Sequence, residues 1–337
     1  MNYLSVVLVS YNTLELLRKC LSSVYQNGDG LALQVLVIDN NSRDGSPDMV
    51  AREFPQALLL RNHTNAGFAK AVNQGLKLAE GEAILLLNSD VEIFPGTLQR
   101  SLHFLQTHSE AGIVGCKLLN PDLSLQPSCE NFPRFADFVS ESFFLDKIFS
   151  QSKTFGRFHL TYFRYDQTAK VGRVMGAFLL IRRQTFEEIG WLDESFFFYG
   201  EETDWCYRAK QKGWEVYFYP GAEAIHYGGQ SADPISPRMF VQLHAARYQF
   251  YRKYHGFFSS LATRAVLGIG ALLRIFLWLA IMLYRLLLRR NQVKAGAQKV
   301  LAFCAALCWY LGLPQRGRLA QSPSSDAEAS GCQMKAI

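Results

Sequence analysis

Short apolar segments of strand length alternate with longer amphipathic segments in the first third of the chain, and this alternation most constrains the fold. Four strand-then-helix pairs occur, at residues 4–10 and 14–26, 33–39 and 46–54, 57–61 and 66–79, and 83–88 and 95–108. Such pairs build βαβ units, whose parallel strands are covered by helices on both faces. The sequence therefore predicts an α/β fold with a Rossmann-like, mainly parallel (mixed) sheet flanked by helices.

The later part of the chain continues this pattern less regularly. A strand is predicted at 171–181, helices at 182–190 and 203–212, and a further strand at 214–219. No Gly-x-Gly-x-x-Gly follows the first strand and no Gly-Lys-Ser/Thr loop occurs in the chain. These absences argue against a dinucleotide oxidoreductase and a P-loop NTPase.

The charge of the chain is divided unevenly along its length. The net charge is +6, yet the stretch 234–325 contains no Asp or Glu and carries 13 Lys and Arg residues. Within the apolar run 261–288, Arg264, Arg274 and Arg285 fall with Arg289 on about a quarter of a helical circumference. We interpret this stripe as the basic face of a helix lying in a membrane interface that contains anionic lipid. A soluble helical subdomain or an oligomer interface is the alternative.

Three regions follow from these patterns. Residues 1–235 are expected to form the α/β domain, 236–315 a basic apolar helical extension and 316–337 a disordered tail. The apolar run 300–313 is too short to span a bilayer, which needs about 20 residues. Seven scattered cysteines and a strand-like, uncharged beginning predict a reducing cytoplasm, with the protein peripheral on the cytoplasmic face of the inner membrane.

Acidic residues occur where a sheet of this kind binds ligands. Asp90 follows the apolar run 83–87, which places its carboxylate at the carboxyl end of a strand. The segment Asn88-Ser89-Asp90 could equally form an ordinary turn. A second acidic segment, Glu201-Glu202-Thr203-Asp204, begins a predicted helix, and Asp204 and Arg208 are spaced for an intrahelical ion pair.

Seven motifs together resemble the family 2 glycosyltransferases with the GT-A fold, particularly the rhamnosyltransferase-like branch. They cover roughly residues 3–232 and occur in the family's order: SVVLVSYN (5–12), VIDNNSRDGS (37–46), NAGFAKAVNQG (65–75), LNSD (87–90), GAF (176–178), FYGEETDWCYR (198–208) and HYGGQS (226–231). The resemblance implies an enzyme that transfers a sugar from a nucleoside diphosphate donor.

The resemblance also assigns substrate-binding residues around the sheet edge. They are Tyr11, Asn12, Asp39, Asn65, Gly67, Asn73 and Gly176. Asp39 can accept hydrogen bonds from ribose hydroxyls or a base N–H, although within Asp-Asn-Asn-Ser it could instead cap a helix or form an Asx turn. Gly67 allows close approach of the backbone to a ligand, although the same segment could be a plain helix start.

Asp90 and His226 are the metal ligands that the resemblance implies, with Mg²⁺ or Mn²⁺ as the ion. The usual family signature has two acidic residues around one other residue, whereas Asn88-Ser89-Asp90 keeps one carboxylate. A structural role for His226 is the alternative.

Glu202 matches the position of the family's catalytic base, and Glu201 beside it is the second candidate. A sugar hydroxyl is a weak nucleophile near neutral pH, so a carboxylate must take its proton as the new bond forms. Aromatic residues at 121–170 form either a second small core or a wall on which the acceptor stacks.

The sequence thus predicts a metal-dependent inverting glycosyltransferase. Its partners would be a nucleoside diphosphate sugar, dTDP-rhamnose by likeness, a glycan or lipid-linked acceptor in cell-surface polysaccharide assembly, and an anionic membrane surface, without nucleic acid. A catalytically silent nucleotide-sugar-binding scaffold at the membrane is the alternative. A nucleotidyltransferase would need a basic glycine-rich loop after strand one, and Tyr11-Asn12-Thr13-Leu14 lacks one.

Overall fold

A computed structural model of the protein describes residues 3–196, 199–228, 237–287 and 293–313. Within these ranges the strands are β1 (Tyr3–Ser10), β2 (Ala32–Asp39), β3 (Leu58–Arg61), β4 (Ala83–Asn88), β5 (Val91–Ile93), β6 (Ala111–Leu119), β7 (Leu125–Gln126), β8 (Cys129–Glu130), β9 (Ala169–Lys170), β10 (Arg173–Val174), β11 (Phe178–Arg182) and β12 (Glu215–His226). The helices are α1 (Leu14–Gln26), α2 (Ser46–Glu53), α3 (Phe68–Leu78), α4 (Thr97–Thr107), α5 (Phe135–Ser142), α6 (Leu145–Ile148), α7 (Arg183–Ile189), α8 (Glu201–Gln211), α9 (Pro237–Leu287) and α10 (Val293–Tyr310).

The main sheet is mixed and runs in the order β3-β2-β1-β4-β11-β6-β12-β5. The neighbours β1, β2, β3 and β4 pair in parallel, while β11 and β5 are antiparallel to their neighbours. Ser10 is in register with Asp39, and Val9 with Asn88, so three strands end at one edge. The predicted α/β class is confirmed, and the polar residues that follow these strands are gathered at that edge.

Two hydrophobic clusters cover the two faces of the sheet. Successive β1 side chains alternate between them, with Val6 and Leu8 on the α1 face and Val7 on the α3 face. This double cover explains why the strands read as continuous apolar runs in the sequence.

Several strands differ from the sequence prediction. The strand predicted at 171–181 is two strands, β10 and β11, and the short strands β5, β7, β8 and β9 were not predicted. β6 was not anticipated, and β12 extends to His226 instead of ending near residue 219. The pairing of β12 with β6 jumps from Tyr219 to Glu223, which leaves residues 220–222 as an unpaired bulge. Proline and glycine are typical of strand ends, so their presence in the bulge made the sequence predict an end there. In the structure the pairing resumes after them.

The C-terminal helices pack against one another and against α5. α9 changes direction at Gly256, whose φ of 78° is not helical, and α10 packs against both halves of α9. One helical stretch among the described residues, Met239–Leu287, meets the length and composition needed to cross a membrane. The predicted tail at 316–337 lies outside the described residues.

Two arginines of the stripe, Arg264 and Arg274, face the protein, which corrects the interpretation of these two side chains as lipid-facing. Arg264 donates to the carbonyl oxygens of Trp309 and Tyr310, at the end of α10. Arg274 donates to those of Glu141 and Ser142, at the end of α5. The last carbonyls of a helix have no intrahelical partner, and a guanidinium can satisfy them. Arg289 lies outside the described residues.

The outward face of these helices is instead apolar. Large hydrophobic side chains are exposed along the second half of α9, and they are Phe257, Phe258, Leu261, Ile269, Leu272, Leu273, Phe276, Leu277, Leu279, Leu283, Tyr284, Leu286 and Leu287. We call this set the apolar face. Monomeric soluble proteins rarely expose so large a patch.

Candidate active site

Asp90 and His226 meet at the carboxyl end of β4. Asp90 lies in the turn between β4 and β5, and the antiparallel pairing of β12 with β5 places His226 opposite Val91. The Tyr227 N–H donates to the Asp90 carbonyl at 2.9 Å, which fixes this register. His226 Nε2 then lies 3.4 Å from Asp90 Oδ1.

The two facing atoms have the character of metal ligands. Both side chains are buried, and neither Asp90 Oδ1 nor His226 Nε2 has a hydrogen-bond partner. An unpaired polar atom in the interior is costly, so a pair of them facing each other indicates a missing partner. The other ring nitrogen, Nδ1 of His226, lies 2.7 Å from Gln126 Oε1, an arrangement that leaves Nε2 to bind an ion.

One carboxylate oxygen and one imidazole suit Mg²⁺ or Mn²⁺. No group of three or more His, Cys, Asp and Glu that could hold a metal ion occurs in the described ranges. An ion at this place would therefore take most of its ligands from a bound diphosphate and from water.

Gly228 closes one side of the Asp90–His226 pair. A Cβ atom added at this position would lie 2.7 Å from His226 Nε2 and 2.8 Å from Asp90 Oδ2. Both distances are shorter than a van der Waals contact, so only glycine leaves this space open.

Asp39 ends β2 at the same edge of the sheet. Its Oδ2 accepts the Ser42 N–H at 3.0 Å, while its Oδ1 is buried without a partner. Asp39 can therefore serve both roles, because Oδ2 forms the turn and Oδ1 is left to bind a ligand.

Asn12 and Tyr11 follow β1 beside Asp39. Asn12 adopts a φ of 53°, and its Oδ1 accepts the Arg43 N–H at 2.8 Å. Its own N–H donates to Ser42 Oγ at 2.9 Å. Asn12 therefore joins the loops that follow β1 and β2, and Tyr11 lies half-buried next to it.

The turn before α3 is held by a network of amides. Asn40 donates to Asn65 Oδ1 at 2.9 Å, and the Gly67 N–H donates to the same oxygen at 3.0 Å. Gly67 has a φ of 84°, a conformation that side chains disfavour. It lines a cavity of ≈ 70 Å³ together with Lys70 and Glu194. Asn65 thus shapes the turn while the glycine faces open space.

Asn73 has a structural partner. It donates to the Leu192 carbonyl at 3.0 Å and to Glu194 Oε1 at 2.9 Å, and it accepts the Leu192 N–H at 3.0 Å. These bonds occupy its side-chain amide, so Asn73 anchors the loop that precedes α8 instead of reaching into the sheet edge.

The two glutamates at the start of α8 have different surroundings. Glu202 Oε1 accepts a hydrogen bond from Arg173 Nη1 at 2.9 Å, and its side chain stays 13% exposed. Glu201 is buried, and its Oε2 has no partner. Burial, followed by the charge of Glu202, raises the pKa of Glu201 well above its usual range. Glu201 is thus enclosed by the protein, whereas Glu202 stays partly exposed, which favours Glu202 as the base.

Gly176 connects Glu202 with the end of β4. A Cβ atom added to Gly176 would lie 3.8 Å from Glu202 Cβ, so the strand and the helix are close neighbours there. The next residue, Ala177, accepts the Asn88 N–H at 3.0 Å. Glu202 and Asp90 accordingly flank the same strand end.

A family model matches the first part of the chain. The model for glycosyl transferase family 2 matches residues 5–190, which is more than half of the chain. The chain belongs to glycosyl transferase family 2.

Relatives of this glycosyltransferase act on several glycans. It is 27% identical over 267 residues to N-acetylglucosaminyl-diphospho-decaprenol L-rhamnosyltransferase of Mycobacterium tuberculosis, covering 75% of this chain and 85% of the relative. It is 25% identical over 227 residues to the low-salt glycan biosynthesis hexosyltransferase Agl10 of Haloferax volcanii, covering 66% of each chain. The rhamnosyltransferase-like resemblance and a hexosyltransferase activity are confirmed.

Solved structures confirm the GT-A architecture. GalNAc-T7 with UDP, GalNAc and Mn²⁺ superposes with a TM-score of 0.55 at 15% identity, over 74% of this glycosyltransferase and 50% of that chain. The mannosyltransferase PcManGT of Pyrobaculum calidifontis with GDP-Man and Mn²⁺ superposes with a TM-score of 0.50 at 18% identity, over 90% and 86% of the two chains.

Three residues of the glycosyltransferase site were missed by sequence reasoning. Gln126 contacts His226, Arg173 contacts Glu202, and Glu130 holds Arg173 through Oε2 at 2.5 Å. Gln126 and Glu130 lie in the irregular stretch after residue 120, where no periodicity marks them. Arg173, an isolated charge before an apolar strand, was the one visible signal.

Proposed function

We propose that this glycosyltransferase is a metal-dependent inverting enzyme that transfers rhamnose from a nucleoside diphosphate donor to a lipid-linked acceptor. The observation that carries the proposal is the pair of unpartnered atoms on Asp90 and His226, beside the strand end that Glu202 also flanks. The mycobacterial rhamnosyltransferase supports the sugar and the polyprenyl diphosphate acceptor. The complexes of the solved structures with nucleotides and Mn²⁺ support the donor class and the ion.

Asp90 and His226 would hold Mg²⁺ or Mn²⁺, which neutralises the charge that develops on a departing nucleoside diphosphate. Gln126 fixes the ring of His226 through Nδ1, so the imidazole needs no reorientation to bind. Gly228 leaves the space open.

The donor nucleotide would lie along the ends of β1, β2 and β4. The partnerless Oδ1 of Asp39 would accept from the ribose or the base, and Gly67 would allow close approach at the start of α3. Tyr11, Asn12 and Asn65 would shape this surface, and Gly176 would leave room for the sugar near Glu202. Asn73 would contribute indirectly, by holding the loop at residues 192–194 in place.

Glu202 would take the proton of the acceptor hydroxyl while that oxygen attacks the anomeric carbon. The bond to the diphosphate breaks as the new bond forms, so a single displacement from the opposite face inverts the configuration. The buried side chain of Glu201 would stay out of this step.

The apolar face would lie in the interface of the inner membrane, on its cytoplasmic side. The middle of α9 is held against the catalytic domain, because Arg274 donates to carbonyls of α5 and a Cβ atom at Gly270 would touch Ser142. A helix whose middle is held against the protein is better suited to lie on a bilayer than to cross it. The free thiols of the described cysteines fit a reducing cytoplasm.

Replacing Glu202 with Gln tests the proposal. With dTDP-rhamnose and Mn²⁺, the Glu202→Gln variant should lose transfer and donor hydrolysis by about a thousandfold or more, while calorimetry gives a donor Kd close to that of the original protein. Glu187→Gln, an exposed glutamate on α7, is the matched control and should keep full activity.

Two results would contradict the proposal. Full activity in Glu202→Gln would remove this residue from the mechanism. A purified protein that binds the nucleotide yet never turns the donor over, with any divalent ion or acceptor, would support the silent scaffold.

A further inference from the structure

We propose that a cavity beside Glu202 is the subsite for the acceptor sugar, and that Glu130, His159 and Arg173 recognise its hydroxyl groups. The cavity has a volume of ≈ 140 Å³. Ser128 and Met175 also line it. The inference rests on the proposed function and names the place where the second substrate binds.

The position of the cavity is the first argument. One short segment, residues 125–130, contacts both halves of the active site. At its beginning, Gln126 binds His226 Nδ1 and donates to the Gly228 carbonyl at 3.0 Å. At its end, Glu130 binds Arg173, which binds Glu202. The cavity wall between these contacts therefore lies next to both the metal ligand and the base.

The charges of the wall are the second argument. Arg173 lies between two carboxylates and is 17% exposed, and the side chain of Glu130 is 23% exposed. Although burial opposes it, Arg173 followed by His159 lowers the pKa of Glu130 to about 2, so its carboxylate is charged. Such ion pairs add little net stability, because desolvation offsets their attraction. Charged side chains in a cavity wall can instead serve to bind a polar ligand.

The chemistry of the wall suits a sugar. Hydroxyl groups can donate to Glu130 and accept from Arg173, and the His159 ring, whose Nδ1 lies 2.9 Å from Glu130 Oε1, offers a further polar contact. Met175 gives an apolar surface for the C–H face of a pyranose ring. The pairing of Arg173 with Glu130 and of Val174 with Cys129 between β10 and β8 holds this wall rigid.

The acceptor is the better occupant because of the residues that line the cavity. The residues proposed to bind the donor lie at the ends of β1, β2 and β4, whereas the cavity lies on the Arg173 side of Glu202. A base must contact the attacking hydroxyl, so the acceptor sugar has to reach Glu202 from a neighbouring site.

The C-terminal helices border the same region. The Arg247 guanidinium of α9 lies 4.6 Å from the centre of the Phe158 ring, directly before His159, and it pairs with Glu141 of α5. A lipid attached to a sugar in the cavity would thus begin close to the helices that carry the apolar face. This arrangement fits an acceptor that stays anchored in the membrane.

The His159→Phe variant tests the inference, because phenylalanine keeps the ring volume and removes the polar contacts. With N-acetylglucosaminyl-diphospho-farnesol as the acceptor probe and dTDP-rhamnose as donor, the acceptor KM should rise about tenfold or more, as for one or two lost hydrogen bonds. The donor KM of hydrolysis in water should stay within about twofold. His103→Phe, on the exposed side of α4, is the matched control and should keep both KM values.

A second variant, Glu130→Gln, keeps the test decisive if His159→Phe does not fold, and thermal unfolding verifies that each variant is folded. An acceptor KM equal to that of the original protein in both variants would overturn the subsite. A protein that neither transfers the sugar nor hydrolyses the donor would instead overturn the proposed function. The two failures are therefore distinguishable.

Discussion

Lys253 of α9 donates a hydrogen bond of 2.6 Å to Asp204 Oδ1 of α8, and so joins the C-terminal extension to the helix that begins with Glu201 and Glu202. Asp204 is fully buried, and Tyr254 and Arg208 complete its partners at 2.7 and 2.8 Å. Lys253 also binds Asp193 at 2.7 Å, in the loop before α8. The extension is therefore part of the support of the active site.

We expect Lys253→Met to lower the free energy of unfolding by about 1 kcal/mol, because a buried carboxylate loses a charged donor that is itself about one-third exposed. The kcat of transfer should fall with little change in donor KM, since α8 carries Glu202, the proposed base. Urea unfolding and steady-state kinetics measure both effects. Lys212→Met, an exposed lysine at the end of the same helix, is the control. Equal stability of the two variants would show that the contact is dispensable.

The pKa of Glu201 predicts a pH-dependent stability. Above the ordinary glutamate pKa of 4.5 the unfolded chain loses this proton, while the folded protein keeps it. Stability therefore falls as pH rises, by up to about 1.4 kcal/mol per pH unit, until the raised pKa is passed. Glu201→Gln lacks this penalty, so its Tm should exceed that of the original protein at pH 8 and match it at pH 4. Parallel Tm curves across this range would contradict the burial of a neutral Glu201.

Gly228→Ala should block the metal site. The added methyl group would lie against His226 Nε2 and Asp90 Oδ2, where the ion is proposed to bind. The original protein should gain thermal stability when Mn²⁺ is added, since a ligand that binds the folded state stabilises it. The variant should lose this gain, and Gly268→Ala, in an uncrowded position on α9, should keep it. A normal Mn²⁺ shift in Gly228→Ala would place the ion elsewhere.

Membrane attachment should depend on apolar side chains more than on charge. Phe258 and Phe276 are 84% and 67% exposed, whereas Arg264 and Arg274 are engaged with carbonyl oxygens. In flotation with vesicles, binding should persist at high salt, which screens ionic attraction. The double change of Phe258 and Phe276 to Ser should reduce binding strongly, and Leu123→Ser, 60% exposed on a distant loop, should not. Release by salt alone would restore the electrostatic interpretation.

The sheet and its edge were predictable because their signals are local. Periodicity identified β1 to β4 and the helices between them, and the end of each strand indicated Asp39 and Asp90. The helical spacing of Arg264 and Arg274 was also read correctly. The direction in which they point was not, since it depends on the ends of α5 and α10, which approach only in the folded chain.

The contacts of Gln126, Glu130 and Arg173 could not be predicted for a related reason. They lie in short strands of two residues, where pairing is determined by neighbours distant in sequence. The choice between Glu201 and Glu202 likewise depends on which of the two side chains is buried. Two adjacent glutamates in a sequence do not reveal this.

The bulge at residues 220–222 determines whether an ion site can exist at all. Side chains on a strand alternate between faces, so the odd number of extra residues sets which way His226 turns, and Thr97 and Arg100 of α4 hold the bulge through the carbonyls of Glu223 and Gly221. Removing a single bulge residue would either shorten the bulge or shift the register of the strand end that carries His226, and it would preserve every amino acid of the candidate motifs. In comparing relatives, the length of this short insertion is thus as informative about metal use as the histidine itself.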